Sequence, residues 1–355
     1  MSYQHFSGAS LIHSNDETTS KRNDRAGIKT MRNSVCRFIS ALVVASMACA
    51  SAAYAQAAWP SKSIRLVVPF PAGGFVDSVA RQIQPQLQTA LGQTVVIDNR
   101  GGAGGALGAG EVARSQPDGH TILLVFDSYA LYPLVYPKLN FNITRDLVPV
   151  TQIASNPLIL LTNAKVPAND LESFVKLLKS EPGRVNFASV GVGSSNHLTA
   201  ELFQSATETT MTHVPYRGGG PAQQDLIGGH IETMFLSASL ALPHVRGGAL
   251  NAIAQTGAKR SAALPDVPTV AERGYPGFEV NSWVGMLVPA GTPRDIVDRL
   301  HAEIRKILAD SKFAARLEEQ GLVGIGSSPE EFLSVLSSER EKWARLVKER
   351  QLVLE

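Results

Sequence analysis

The stretch that most constrains the fold runs from Ile64 to Arg81. Residues 64–68 are an apolar, β-rich run, Pro69 to Gly74 cannot continue a strand, and Val76, Val79, Ala80 and Ile83 recur at helical spacing. A strand, a tight loop and a helix in that order leave the N–H groups of the loop and first helical turn without partners inside the helix. They face whatever lies beyond the strand's carboxyl end. That is a socket for a carboxylate.

The alternation continues along the chain. Strands are expected at 94–98 and 121–126, separated by a glycine-rich loop from Asn99 to Gly105 and a small-residue helix to Ala113. Alternating strands and helices imply parallel sheets whose ligand sites lie beyond the carboxyl ends of the strands. Two apolar pieces, 147–162 interrupted at Ser155-Asn156-Pro157 and 282–288, read as crossings between two α/β lobes with a hinge and a cleft. The expected boundaries are 56–157 with 283–355 for the first lobe and 158–282 for the second. In the second, Asp170 is the expected N-cap of a helix over 171–180. Three amphipathic helices at 293–308, 312–319 and 328–350 are expected to pack on the first lobe's sheet.

Residues 1–55 stand apart. Met31 to Arg37 is a short basic start, Phe38 to Ala50 is apolar, and Ala53-Tyr54-Ala55 is a small-x-small site, so the segment reads as a secretory leader cleaved after Ala55, with translation starting at Met1 or Met31. The apolar run is shorter than the ~20 residues of a membrane span. Both cysteines, Cys36 and Cys49, fall in this segment, so the mature chain is expected to hold neither a disulfide nor a thiolate metal site. Residues 1–55 carry six of the 33 Lys and Arg and three of the 31 Asp and Glu. That leaves 27 basic against 28 acidic side chains, a net of −1 where the whole chain has +2. The basicity belongs to the leader, and no nucleic-acid or membrane surface is implied.

Two enzyme classes are weighed. Gly108-Ala109-Gly110-Glu111-Val112-Ala113 matches the loose dinucleotide pattern, yet it sits about ten residues past its strand, inside a helix, whereas the fingerprint belongs at the strand-to-helix turn. An exported hydrolase with Ser194 or Ser195 and His197 is the other alternative. It lacks a Gly-x-Ser-x-Gly elbow, and residues two or three apart at one helix start do not make a nucleophile–base–acid set. No enzyme activity, cofactor or metal is expected.

Several further motifs occur in fixed order. Val68-Pro69-Phe70-Pro71-Ala72-Gly73-Gly74 with Asp77 and Ala80-Arg81 is followed by Asn99-Arg100-Gly101-Gly102-Ala103-Gly104-Gly105, Pro117-Asp118-Gly119 and Ser194-Ser195-Asn196-His197-Leu198. Then come His213-Val214-Pro215-Tyr216-Arg217-Gly218-Gly219-Gly220-Pro221-Ala222 and Leu264-Pro265-Asp266-Val267-Pro268-Thr269. Together they resemble the substrate-binding proteins of tripartite tricarboxylate transporters, the Bug family, over essentially the whole chain from Trp59. The resemblance implies a periplasmic, two-lobed solute-binding protein of the type 2 flytrap fold, a monomer that closes on a small organic carboxylate. It further implies delivery to a membrane carrier of the tripartite tricarboxylate type, or to a sensor.

The expected ligand-binding residues follow from the loops. Pro71, Ala72, Gly73, Gly74 and Phe75 form the first wall with Asp77, whose place in the first helical turn suits capping. Gly193, Ser194, Ser195 and His197 form the second, and Tyr216, Arg217, Gly218 and Asp225 the third; structural roles for His197 and Asp225 and a solvated surface place for Arg217 are the alternatives. After the third strand, Ser128-Tyr129-Ala130-Leu131-Tyr132-Pro133 departs from the family's pattern, with Tyr129 standing in a histidine's place. Ser128 and Tyr129 join the expected site. With Phe75 and Tyr132 the departure predicts aromatic walls and an aromatic or largely apolar monocarboxylate rather than citrate.

Overall fold

A computed structural model of the chain describes residues 59–354; the leader, both cysteines and the cleavage site at Ala55 lie outside them. Strand β1 (Ile64–Val68) passes through the loop 69–74 into helix α1 (Phe75–Leu91). Val76, Val79, Ala80, Ile83, Leu87 and Leu91 of that helix are all buried, so the apolar spacing read in the sequence is its core face. After β2 (Val95–Asn99), a 3-10 turn leads into α2 (Ala106–Ala113), and β3 (Thr121–Phe126) ends in a 3-10 turn and the short helix α3 (Tyr132–Val135). The ladder β2-β1-β3 is parallel. Helices cover both faces, which is why Ile64, Leu66, Val67 and Val68 are all fully buried and the strand reads as a continuous apolar run.

Strand β4 (Leu147–Asn163) is one unbroken crossing where the sequence suggested two pieces. It pairs antiparallel with β9 (Asn281–Pro289) as far as Pro157, and from Leu158 it pairs with β7 (Thr233–Ser237). Pro157 sits at the hand-over between these neighbours, where a missing N–H is tolerated. The second lobe repeats the first. Helix α4 (Leu171–Ser180) is capped by Asp170, whose side chain accepts from Ser173 N at 2.8 Å. Strand β5 (Asn186–Ser189) leads to α5 (Ser195–Thr207), β6 (Thr212–Pro215) to α6 (Gly219–Gly228), and β7 to α7 (Ala238–Arg246). The ladder β6-β5-β7 is parallel, and β8 (Leu250–Gln255) pairs antiparallel with β4. The expected two-lobed α/β fold is thus present, with parallel ladders at its flanks and antiparallel pairing where β4 and β9 cross.

Helices α8 (Arg294–Ala309) and α9 (Ser311–Glu319) pack on the first lobe through Leu300, Ile304, Phe313 and Leu317. The two-residue strand β10 (Val323–Gly324) then pairs with β4. The last helix, α10 (Pro329–Glu349), was expected there too, but only its first half is: Phe332 and Leu336 join the first-lobe core with Trp283, while Trp343 and Leu346 join Phe174, Phe187 and Phe203 of the second. Its end is tied down by Arg350, which donates to the Glu201 carboxylate on α5 at 2.9 Å.

Candidate functional site

A cleft of about 700 Å³ opens between the lobes. Into it point the N-termini of α1 from the first lobe and of α5, α6 and α7 from the second, each following the carboxyl end of its strand. Helices α1, α6 and α7 carry no side-chain cap, so their first N–H groups stay available. No charged side chain is among the described residues that line the cleft.

The first wall is the loop 71–74 and the start of α1; Pro71, Ala72, Gly73, Gly74, Phe75 and Val76 all line the cleft. Asp77 is turned away from it, 1% exposed, and accepts from Gly73 N at 2.8 Å, Arg81 Nε at 2.8 Å and Asn99 Nδ2 at 3.0 Å. Burial raises this carboxyl, but its hydrogen bonds and the Arg81 charge outweigh that and hold it below the usual carboxylate range. Asp77 therefore shapes the loop and does not touch the cleft.

The second wall is the turn from Ser189 to Ser195. Gly193, Ser194, Ser195 and Asn196 line the cleft. The Ser194 hydroxyl accepts from His197 N at 3.4 Å and donates to Gly191 O at 2.7 Å, so it serves the turn. His197 lies behind the wall, with Nδ1 accepting from Gly193 N at 3.2 Å. Neither serine bonds its ring, so the pairing of Ser194 or Ser195 with His197 that the hydrolase alternative needed is not formed. Gly193 has φ +72°, and a Cβ there would meet Val135 Cγ2 of the opposite lobe at 2.6 Å. Only glycine allows the walls to come so close.

Of the third wall, Gly218 lines the cleft together with Gly219 and Gly220. Tyr216 lies outside, its hydroxyl donating to Asp225 at 2.7 Å, and burial with this contact pushes it up to about 12. Asp225 holds Tyr216, and Arg217 is exposed beyond the lining residues.

At the end of β3, Ser128 lines the cleft, but Tyr129 does not. It is 1% exposed and donates to Ile143 O at 2.7 Å inside the first-lobe core. The side chain in the histidine's place thus points into protein. The aromatic wall comes instead from Phe70, Phe75 and Phe126 with Tyr132 and Tyr136; Phe75 meets Phe126 edge-on at 5.5 Å. Asp127, 5% exposed, sits just behind, near the hydroxyls of Ser282 and Ser195, and burial pushes its carboxyl up to about 7. Gly108, whose loose dinucleotide match the sequence places inside a helix, is indeed helical, and a Cβ there would meet Arg100 O at 2.7 Å and Pro69 Cβ at 2.9 Å, so it serves close packing of α2 on the loop before α1. Ser237 and Leu240 at the start of α7, Gln223 on α6 and Ser282 on β9 line the cleft without having been singled out in the sequence. A helix after β7 would have exposed the first two, but Pro243 inside it reads as a breaker.

The site can hold an organic anion without a cation. A helix N-terminus contributes roughly 0.3–2 kcal/mol to a nearby negative charge, and each hydrogen bond to a charged group about 1.5–3 kcal/mol. The aromatic wall offers the rest of such a molecule an apolar surface.

A family model described as tripartite tricarboxylate transporter family receptor matches residues 79–352. Protein BugT of Bordetella pertussis is 36% identical over 293 residues, which are 82% of this chain and 90% of that protein. Among solved structures, an R. palustris protein with adipate is similar at a TM-score of 0.76 and 32% identity, covering 82% of this chain and 97% of its own. MatC from Rhodopseudomonas palustris with bound malate is similar at 0.73 and 33%, covering 81% and 100%.

Proposed function

Because the chain belongs to the tripartite tricarboxylate transporter family of receptors, the Bug proteins, we propose that its cleft takes a carboxylate whose remaining body is apolar, of the benzoate type. The family consists of periplasmic solute-binding proteins, so the chain is a receptor and not an enzyme. The observation that supports this ligand class is the cleft itself: uncapped helix starts of both lobes, hydroxyls, an aromatic wall, and no charged side chain among the described lining residues. A carboxylate would be held by amides at one or both walls, and its apolar part would lie on Phe70, Phe75 and Phe126. Adipate, bound by one similar protein, has a methylene chain that such a wall would cover; malate, bound by another, has little to offer it.

Capture would proceed by lobe closure, since the closed form alone brings amides from both walls to one molecule. A membrane carrier of the tripartite type, or a sensor, would read the closed form. Export with cleavage after Ala55 belongs to the same reading.

A thermal-shift panel of benzoate, adipate, malate and citrate tests the ligand class. An acid present at a hundred times its Kd adds about 2.7 kcal/mol to stability, which appears as a rise of several degrees in Tm. Benzoate-type acids are expected to give it. Stabilisation by citrate or malate with none by benzoate overturns the proposal.

A further inference from the structure

Behind the second wall lie two histidine rings, neither among the residues that line the cleft. His197 on α5 and His213 on β6 stack face to face, with centroids 4.0 Å apart and planes within 11°, and Phe187 stacks on His213 at 4.8 Å. His197 Nδ1 takes the Gly193 N–H, which in a neutral ring leaves the proton to Nε2. His213 Nε2 lies 2.6 Å from the Ser189 hydroxyl, which also bonds Gly191 O at 3.0 Å and Gly191 N at 3.2 Å. Both ends of the glycine turn that presents Gly193 and Ser194 to the cleft are therefore fixed by imidazole nitrogens.

We propose that the His197–His213 stack is the positioning device of the second wall: its ring nitrogens hold Gly193 and Ser189 so that the amides at the start of α5 face the ligand. The proposal rests on the reading of the cleft as a carboxylate site. Two features suit the stack to this task. Neutral rings can lie 4 Å apart without repulsion, and a neutral Nδ1 keeps the lone pair that Gly193 uses. A proton on His197 Nδ1 removes that acceptor and places a cation against a second ring and the positive end of α5.

The charged groups facing the pair do not rescue such a cation. Glu201 Oε1 is 3.9 Å from His197 Nε2, but this carboxylate is already engaged by Gln204 Nε2 at 3.1 Å and by Arg350 at 2.9 Å. Burial draws both rings down to about 4, the neighbouring ring adding to the effect at His213 and the Glu201 charge opposing it without reversing it. The hold is complete in neutral solution and fails as the pH falls through that value, so ligand is released toward acid.

The test combines three readings on wild type, His197→Asn, whose amide oxygen can replace the Nδ1 acceptor, and His197→Leu, which cannot accept. In 15N-histidine-labelled wild type, Nδ1 of His197 is expected to resonate as a bare, acceptor nitrogen. Hydrogen exchange at the Gly193 amide should quicken about tenfold or more in His197→Leu and stay near wild type in His197→Asn. Benzoate affinity should drop about tenfold in His197→Leu, remain within a few-fold in His197→Asn, and in that variant lose the part of its decline between pH 5 and 3 that exceeds benzoate's own protonation. A protonated Nδ1 at neutral pH, or exchange and affinity in His197→Leu equal to wild type, overturns the proposal. If wild type binds no benzoate, the ligand class fails, while the tautomer and the exchange rates still decide this proposal.

Discussion

Gly193→Ala separates closure from stability. The added methyl lies on α5's side of the cleft but meets Val135 of the first lobe, with 2.6 Å to Cγ2 and 3.2 Å to Cγ1. Ordinary carbon–carbon contact is about 3.6 Å, so roughly 1 Å of separation must be found. Part of the penalty is local, since a left-handed φ of +72° costs an alanine about 1–2 kcal/mol whatever surrounds it. The rest is between lobes and is relieved by opening. An opening of that size breaks at least one amide–carboxylate bond across the cleft, worth about 1.5–3 kcal/mol, or about ten- to a hundredfold in Kd. Adding Val135→Ala removes the steric part and leaves the strain. A double-mutant cycle therefore has a defined outcome: urea unfolding shows the same loss with and without Val135→Ala, while calorimetric Kd recovers most of its loss in the double variant. Equal binding by wild type and Gly193→Ala, or no recovery in the double variant, refutes the argument that these walls meet at this glycine.

Other perturbations follow from the same contacts. Asp77→Ala strands the Gly73 N–H and the Asn99 amide and should lower stability by about 2–4 kcal/mol in urea titrations at pH 7. Because the folded Asp77 carboxyl is held below its unfolded value, its stabilisation is present above that value and lost as the pH falls through the folded one; the variant's deficit should therefore shrink toward pH 3. Asp127 has the opposite sign. With a folded value near 7, its stability is fully present below the unfolded value of 3.8 and is lost as the pH rises to 7, at about 1.4 kcal/mol per unit. Asp127→Asn should thus gain in Tm relative to wild type between pH 4 and pH 8, and an unchanged difference would count against a buried, proton-holding carboxyl. Phe75→Ser should weaken benzoate about tenfold and leave short polar acids unaffected, measured by the same thermal-shift panel.

What was legible in the sequence was local. The Pro69 to Gly74 loop, the apolar period of α1 and the Asp170 cap are each encoded within a few residues, and the loop residues from Pro71 to Phe75 line the cleft as read. What escaped depends on distant partners. Tyr129 was assigned to the cleft from its place in a motif, but the turn after β3 directs it to the Ile143 carbonyl fourteen residues on. Arg217 and Tyr216 follow a strand end as the cleft glycines do, yet Tyr216 is claimed by Asp225. Ser282 reaches the cleft because β9 pairs with β4, a register that no local pattern reveals.

The last helix gives the hinge a mechanical character. Lobes joined by two strands alone could swing with little resistance. A rod seated at Phe332 and Leu336 in one lobe and at Trp343 and Leu346 in the other must flex or slide whenever the angle changes, and the Arg350–Glu201 clasp denies it a free end. Any change of angle between the lobes would therefore have to be taken up along this one helix, against the packing that seats both of its halves.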